Sequence, residues 1–175
     1  MPDCEKKCRE TAGKKSDPSM LMVDSQCVST SMQKCEDKGF NGGKRRKGKK
    51  RTIVTDTLGM IWRVVTEAAN IPEKTGAIQA LCTLPSMPRL EKILFDQGYI
   101  GDWLKPIEKL LGCKTHIVEK DGLGFQVQQW RWIVERTFAW FGGYRRLSKD
   151  YESKTKHSES YLYLAMSRLI LKRLF

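Results

Sequence analysis

Two short apolar runs, each closing on an aspartate, constrain this chain's fold more than any other feature. Met20-Leu-Met-Val23 ends at Asp24, and the run from Leu90 to Phe95 ends at Asp96. Runs of this length between polar segments read as buried strands rather than core helices. In open α/β sheets ligands bind outside the carboxyl ends of the strands, so an acid there points toward a site and not into the core. Asp24-Ser25 and Asp96-Gln97-Gly98 would also serve as turns or helix caps. From the residues alone both readings stay open.

The remaining elements fall around these two strands. Residues 1–18 are Lys, Asp, Gly, Ser and Pro with little to bury, and read as a disordered lead-in or the remnant of an upstream region. Residues 19–175 read as one domain. Gln26 to Gly43 is polar and loop-like. Thr52-Ile-Val-Thr-Asp56 and Met60 to Thr66 are β-branched runs around Thr57-Leu-Gly59, which predicts a hairpin. Glu73 to Cys82 has helical composition, with Pro72 at its start and Pro85 and Pro88 beyond its end. A helix over Asp102–Leu111 stops at Gly112. Lys114 to Val118 is a further strand, Asp121 to Gly124 a turn, Gln126 to Phe141 an aromatic helix, and Ser160 to Phe175 a last helix. Strands followed by alternating helices and strands describe a mixed α/β domain.

Charge narrows the function classes. The 175 residues carry 32 Lys+Arg against 20 Asp+Glu, a net charge of +12. The excess is concentrated in one strip, Lys44, Arg45, Arg46, Lys47, Lys49, Lys50 and Arg51, interrupted by Gly48. A strip of this kind suits the backbone of a phosphate polymer, although basic runs are more often solvated loops or localisation signals. No apolar stretch approaches the roughly 20 residues of a membrane span, and Met1-Pro-Asp-Cys-Glu-Lys-Lys7 lacks the apolar segment of a secretory signal. The six cysteines include no CxxC pair and only two histidines accompany them, so reduced thiols in the cytoplasm are expected rather than a zinc or disulfide framework.

A third carboxylate is Glu135, within Trp130-Arg-Trp-Ile-Val-Glu-Arg-Thr-Phe-Ala-Trp-Phe141. At about 100° per residue, Trp130, Ile133, Val134, Phe138 and Phe141 form one apolar arc, with Arg131 and Glu135 at its edge. There Glu135 is half-desolvated and, if the helix packs on the sheet, can meet the two aspartates. The competing reading is an ordinary i,i+4 ion pair with Arg131. Three carboxylates from two strand ends and a helix suit hard divalent cations, which take oxygen ligands. Two such ions roughly 4 Å apart clamp the attacking and leaving oxygens of a phosphoryl transfer. A paired-carboxylate glycosidase is the other chemistry of acids, and the basic strip argues against it.

In these stretches the chain resembles the catalytic domain of DDE transposases of bacterial insertion sequences, in the insertion-sequence family five group. The resemblance is carried by Val23-Asp-Ser-Gln26, Gly48 to Gly59, Asp96-Gln-Gly-Tyr99, Trp132 to Phe141, Tyr144 to Tyr151 and Tyr161 to Met166, in family order. It implies an RNase H-like mixed sheet flanked by helices, with Asp24, Asp96 and Glu135 as the catalytic, metal-binding triad for Mg²⁺ or Mn²⁺, two ions in all. It implies cleavage and strand transfer at element ends: activated water and then a 3′-hydroxyl attack a phosphodiester in line. The implied partners are double-stranded DNA, as terminal inverted repeats and target, an upstream transposase product and a second copy on DNA. The implied place is the bacterial cytoplasm, at the nucleoid. Lys44 to Arg51, with Arg131 and Arg136, are then the DNA contacts, and Tyr99 contacts DNA near Asp96.

Two departures accompany the resemblance. Of the family's Tyr-x2-Arg-x3-Glu-x6-Lys signature, Arg131 and Glu135 match, whereas Gln128 and Gly142 stand at the Tyr and Lys positions. Arg136, Arg145, Arg146 and Lys149 are the available substitutes. Little sequence precedes Asp24, which raises a truncated copy or the second frame of a split element. The alternative function is accordingly a truncated, non-catalytic DNA-binding fragment.

Overall fold

The computed structural model describes residues 2–31, 35–118 and 129–175. The turn expected at Asp121–Gly124, the first turn of the aromatic helix and Gln128 lie outside them. The elements in chain order are α1 (Pro2–Thr11), β1 (Met20–Ser29), β2 (Gly39–Asn41), β3 (Arg46–Asp56), β4 (Ile61–Ala68), α2 (Glu73–Cys82), β5 (Lys92–Phe95), α3 (Leu104–Leu111), β6 (Lys114–Ile117), α4 (Gln129–Gly142) and α5 (Thr155–Leu174).

β1 is the centre of a six-stranded mixed sheet. On one side β3 runs antiparallel to it, from Leu21↔Asp56 to Ser29↔Gly48, and β4 pairs antiparallel with the far edge of β3. On the other side β5 and β6 follow in parallel, with α3 as the crossover between them. The expected hairpin is β3–β4, and α2 has the bounds that its flanking prolines predict. Alternation along the strands feeds two cores. Met20, Met22, Ile53 and Val64 pack under α4 and α5. Leu21, Val23, Val54 and Val65 pack under α2 and α3. The result is the mixed sheet flanked by helices that the resemblance implies.

Four expectations are corrected. The lead-in is not featureless, because residues 2–11 form α1, which buries Glu5, Cys8 and Arg9 on one face. Arg9 Nη1 donates to Asp56 Oδ2 at 2.7 Å, with both side chains buried. A buried ion pair, not an apolar stripe, docks this helix, so hydropathy does not signal it. β1 continues past Ser25 to Ser29 because β3 offers ladder partners along its whole length. α5 begins at Thr155 and not Ser160, since Ser158 and Glu159 are spent on tertiary bonds: Ser158 Oγ donates to Asp150 Oδ1 at 2.9 Å, and Glu159 Oε1 accepts from Thr66 N at 2.8 Å. Gly39–Asn41, read as loop, pairs with the start of β3.

The largest correction concerns the basic strip. Lys49, Lys50 and Arg51 are 0%, 2% and 1% exposed, so they form no surface for DNA. β3 is an inner strand with both faces covered. Lys49 Nζ and Arg51 Nη2 each lie 3.3 Å from the buried Asp150 carboxylate. Arg51 also donates to the Leu147 carbonyl and Lys49 to that of Glu152, both at 2.8 Å. On the opposite face the Lys50 ammonium donates to the Ile71 carbonyl. Buried charge is tolerated when paired and hydrogen-bonded; Lys49 and Arg51 are both, and Lys50 has the Ile71 carbonyl as its acceptor and the Glu67 charge nearby.

A candidate carboxylate site at the strand ends

The last paired residues of the parallel β1–β5 ladder are Met22 and Leu94. Asp24 and Asp96 each follow two residues later, which sets the two acids side by side beyond the end of β5. Asp96 also caps the 3₁₀ turn Gln97–Tyr99, its Oδ1 accepting from Gly98 N at 2.9 Å. Asp24 Oδ1 accepts from Ser25 N at 2.7 Å. The cap reading and the site reading are therefore compatible, since each occupies one oxygen. Trp130, Arg131 and Val134 of α4 close over this pair and, with Val118, line a narrow cleft around it.

Burial pushes the Asp24 carboxyl up to about 6; the Ser25 amide opposes the rise, the charges of Asp96 and Glu73 add to it, and Lys44 opposes it. An acid that resists ionising beside other acids is the electrostatic mark of a place that a cation would relieve. Gly98 follows Asp96 in the turn, and a Cβ there would come within 3.1 Å of Asp96 Oδ1 and 3.4 Å of Glu73 Oε2, so a side chain would crowd these acids. Carboxylate oxygens are the hard donors that divalent cations take. Among the described residues, no three His, Cys, Asp or Glu side chains converge closely enough to grip one.

Glu135 is the reason that the expected triad is not drawn together. It shares a cavity of about 620 Å³ with Asp24, Lys44 and Arg46. Its carboxylate is nevertheless 55% exposed and pairs with Arg131, Oε1 to Nε at 2.9 Å. The apolar arc of α4 buries Ile133, Val134, Phe138 and Phe141 and leaves Glu135 at its solvent edge, about half exposed, turned to Arg131.

The cations divide similarly. Lys44, Arg45, Arg46 and Lys47 are exposed where the β2–β3 turn passes the site, and Lys44 and Arg46 line the Asp24–Glu135 cavity. Arg131 lies at the cleft, held by Glu135. Arg136 is on the other flank of α4, stacked between Trp132 and Trp140 at 4.5 and 4.8 Å and donating to the Leu58 carbonyl. Tyr99, expected to touch DNA, is 0% exposed and offers no contact surface. Sequence reading did not bring Glu73 near Asp24, whose carboxyl feels its charge. An acid directly after a helix-starting proline suits the helix dipole so well that no second role suggests itself.

The family model described as the transposase DDE domain matches residues 15–170. The transposase assigned to insertion sequence element IS402 of Burkholderia cepacia is 26% identical over 132 residues, 68% of this chain and 61% of that protein. The chain thus spans about three fifths of that relative's length. Among solved structures, the catalytic core domain of BIV integrase aligns with a TM-score of 0.44 and 16% identity, covering 85% of this chain and 80% of that one.

Proposed function

The chain belongs to the transposase DDE domain family, and from that membership we propose a metal-dependent DNA transposase that cleaves and joins strands at the ends of an insertion sequence. One observation carries the reading. Asp24 and Asp96 stand side by side just beyond the last rung of the parallel β1–β5 ladder, where their charges oppose one another.

Asp24 and Asp96 would hold the cation, Mg²⁺ or Mn²⁺, as a pair of ions. Glu135 joins them once it leaves Arg131, a rotation that an exposed i,i+4 pair worth only a few tenths of a kcal/mol does not resist. When bound, the ions supply the charge that activates the attacking oxygen and steadies the leaving one. The chain's own residues orient the substrate. Lys44, Arg45, Arg46 and Lys47 present cations to a DNA backbone beside the acids, and Arg131, freed by the same rotation, reaches a phosphate at the cleft. Trp130 and Val134 keep the cleft beneath the acids apolar and exclude water from it. Such backbone contacts carry little sequence information, so choice of the terminal repeats falls to an upstream product or to a second copy of the chain on DNA. Residues 19–175 form the catalytic unit. Among the described residues no helix is long and apolar enough to cross a membrane, and the working place is the cytoplasmic nucleoid.

The test uses duplexes carrying the DNA that flanks the coding frame on each side, with Mg²⁺ or Mn²⁺. Metal-dependent nicking at the element ends is expected, and Asp96→Ala should abolish it. Cleavage that survives that substitution would refute the assignment. DNA binding without any cleavage or metal uptake would instead mark a non-catalytic fragment.

A further inference from the structure

We infer that Phe40 and the cavity beside it form a pocket for one unpaired nucleobase of the DNA, adjoining the acid pair. The inference rests on the DNA-acting reading of the preceding section. It adds a contact with a base, where the exposed cations supply contacts with the backbone alone.

Phe40 stands 57% exposed on β2. A lone exposed aromatic is ordinary on a protein surface, so its surroundings decide its role. The strand that carries it is anchored. Asn41 Nδ2 donates to the Ala69 carbonyl at 3.3 Å, and Asn41 Oδ1 accepts from Lys44 N at 2.9 Å. Across the ladder, Arg46 Nη1 donates to the Cys27 carbonyl at 2.9 Å. Asn70 presses on Gly39, where a Cβ would lie 1.7 Å from Asn70 Oδ1 and 2.8 Å from its backbone nitrogen. The ring is thus presented by a fixed strand and not left outside by a loose one.

Two further observations indicate what the ring meets. Phe40 pairs with Lys47 across the ladder, so the two side chains share a face, with Lys44 and Arg45 in the exposed turn between them. An aromatic face framed by cations suits single-stranded nucleic acid, with stacking for the base and charge for its phosphate. Phe40 also borders a cavity of about 240 Å³ together with Asn70, Ile71 and Glu73. That is smaller than the roughly 300–1,000 Å³ of drug-sized ligand sites and suits a single planar ring. The Asn70 amide and the Glu73 carboxylate bring a donor and acceptors to a base edge. At the same rim Lys44 Nζ lies 3.7 Å from Glu73 Oε1, placed for the phosphate of the stacked nucleotide. Glu73 Oε2 and Asp96 Oδ1 lie 3.4 and 3.1 Å from one point, where a Cβ on Gly98 would sit. The cavity and the acid pair therefore adjoin through Glu73.

Fluorescence anisotropy in chelator, with the full chain and no metal, separates this contact from cleavage. The probes are a labelled blunt duplex and the same duplex with a short unpaired tail, in 3′ and 5′ versions. An already unpaired base costs least to place in a pocket. The native chain should bind one tailed duplex more tightly than the blunt one. Phe40→Ala should weaken that binding about tenfold, the scale of one lost base stack. It should leave blunt-duplex affinity and the salt slope unchanged, and Phe40→Trp should keep the preference. Phe40 belongs to neither core, so both variants should melt with the native chain. No preference for either tail, or a Phe40→Ala loss equal on blunt and tailed duplexes, would overturn the base pocket. Metal-dependent nicking retained in that case would leave the transposase reading standing. A changed oligomeric state in Phe40→Ala with DNA binding intact would mark a protein contact and overturn the pocket as well. Failure of the native chain to bind any of the duplexes would overturn both readings.

Discussion

Lys44–Lys47 and Lys49–Arg51 are separated by one glycine and share a composition, yet the first four side chains stand in solvent while the other three are among the most buried in the fold. The sheet makes the difference. Up to Lys47, β3 has only the three-residue β2 beside it. From Lys49 onward it is flanked by β1 and β4 and covered on both faces. Gly48 marks the entry point: a Cβ there would sit 1.9 Å from the Val28 carbonyl oxygen, too close for any other residue. A basic run is thus no unit of function. Its outer half is left in solvent, where the proposed DNA backbone would pass, and in its inner half Lys49 and Arg51 share one buried acid.

The sharpest way to break this comparison is Asp150→Ala. It would leave Lys49 and Arg51 buried without their shared carboxylate, and removing one partner of a buried ionic group costs about 3–5 kcal/mol. A large fall in the urea midpoint is expected. A loss below about 1 kcal/mol would mean that the inner cations are not held by Asp150.

Next in size is the outer half. Replacing Lys44 and Lys47 by Gln and Arg45 by Asn should change stability by no more than about 0.5 kcal/mol. DNA affinity should fall, and its log–log salt slope should flatten by about 0.9 for each phosphate contact removed. Asn suits position 45, whose φ is 45°. If the triple variant melted as early as Asp150→Ala, both halves would be structural and the contrast would vanish.

The smallest effect sharpens the contrast with a buried charge that lacks a partner. Both carboxylate oxygens of Glu5 are buried and accept from no other residue, and burial pushes its carboxyl up from 4.5 to about 7 against its own amide and the N-terminal charge, with the charge of Asp56 adding a little. Between those values the folded chain retains a proton that the unfolded chain releases, so stability falls as pH rises through the window and does not recover above it. Glu5→Gln should raise the melting temperature at pH 8, by roughly 2–4 °C for each kcal/mol relieved. It should also reduce the decline between pH 5 and 8. The decline that remains comes from other carboxyls raised mainly by burial, among them Glu67, raised to about 7, Asp24, raised to about 6, and Glu159. An unchanged pH profile would show that Glu5 carries its charge without cost.

What was legible in the sequence was local. The hairpin β3–β4 follows from two β-branched runs around Gly59, the bounds of α2 from Pro72 and the prolines beyond it, and the end of α3 from Gly112, which adopts a φ of 64°. The adjacency of Asp24 and Asp96 follows from the parallel pairing of their two apolar runs, in which each acid comes two residues after the last rung, although β1 itself continues. The rest depends on distant charges. Asp150 is 101 residues from Lys49 and 99 from Arg51, so nothing near the strip announces that it is an interior strand. α1 is docked by Arg9 on Asp56, 47 residues away. Glu135 was read correctly as lying at the edge of an apolar arc, but the side to which that edge opens is set by packing and not by periodicity.

The Asp150 clasp also bears on how such chains can recombine. The segment around Lys49–Arg51 and the segment from Leu147 to Ser158 exchange bonds across a hundred intervening residues. Where two parents differ at these positions, a chimera taking the first segment from one and the second from the other would inherit cations without their acid, or the acid without its cations. The two segments must travel together, and viable crossovers between relatives should leave both on the same parental side.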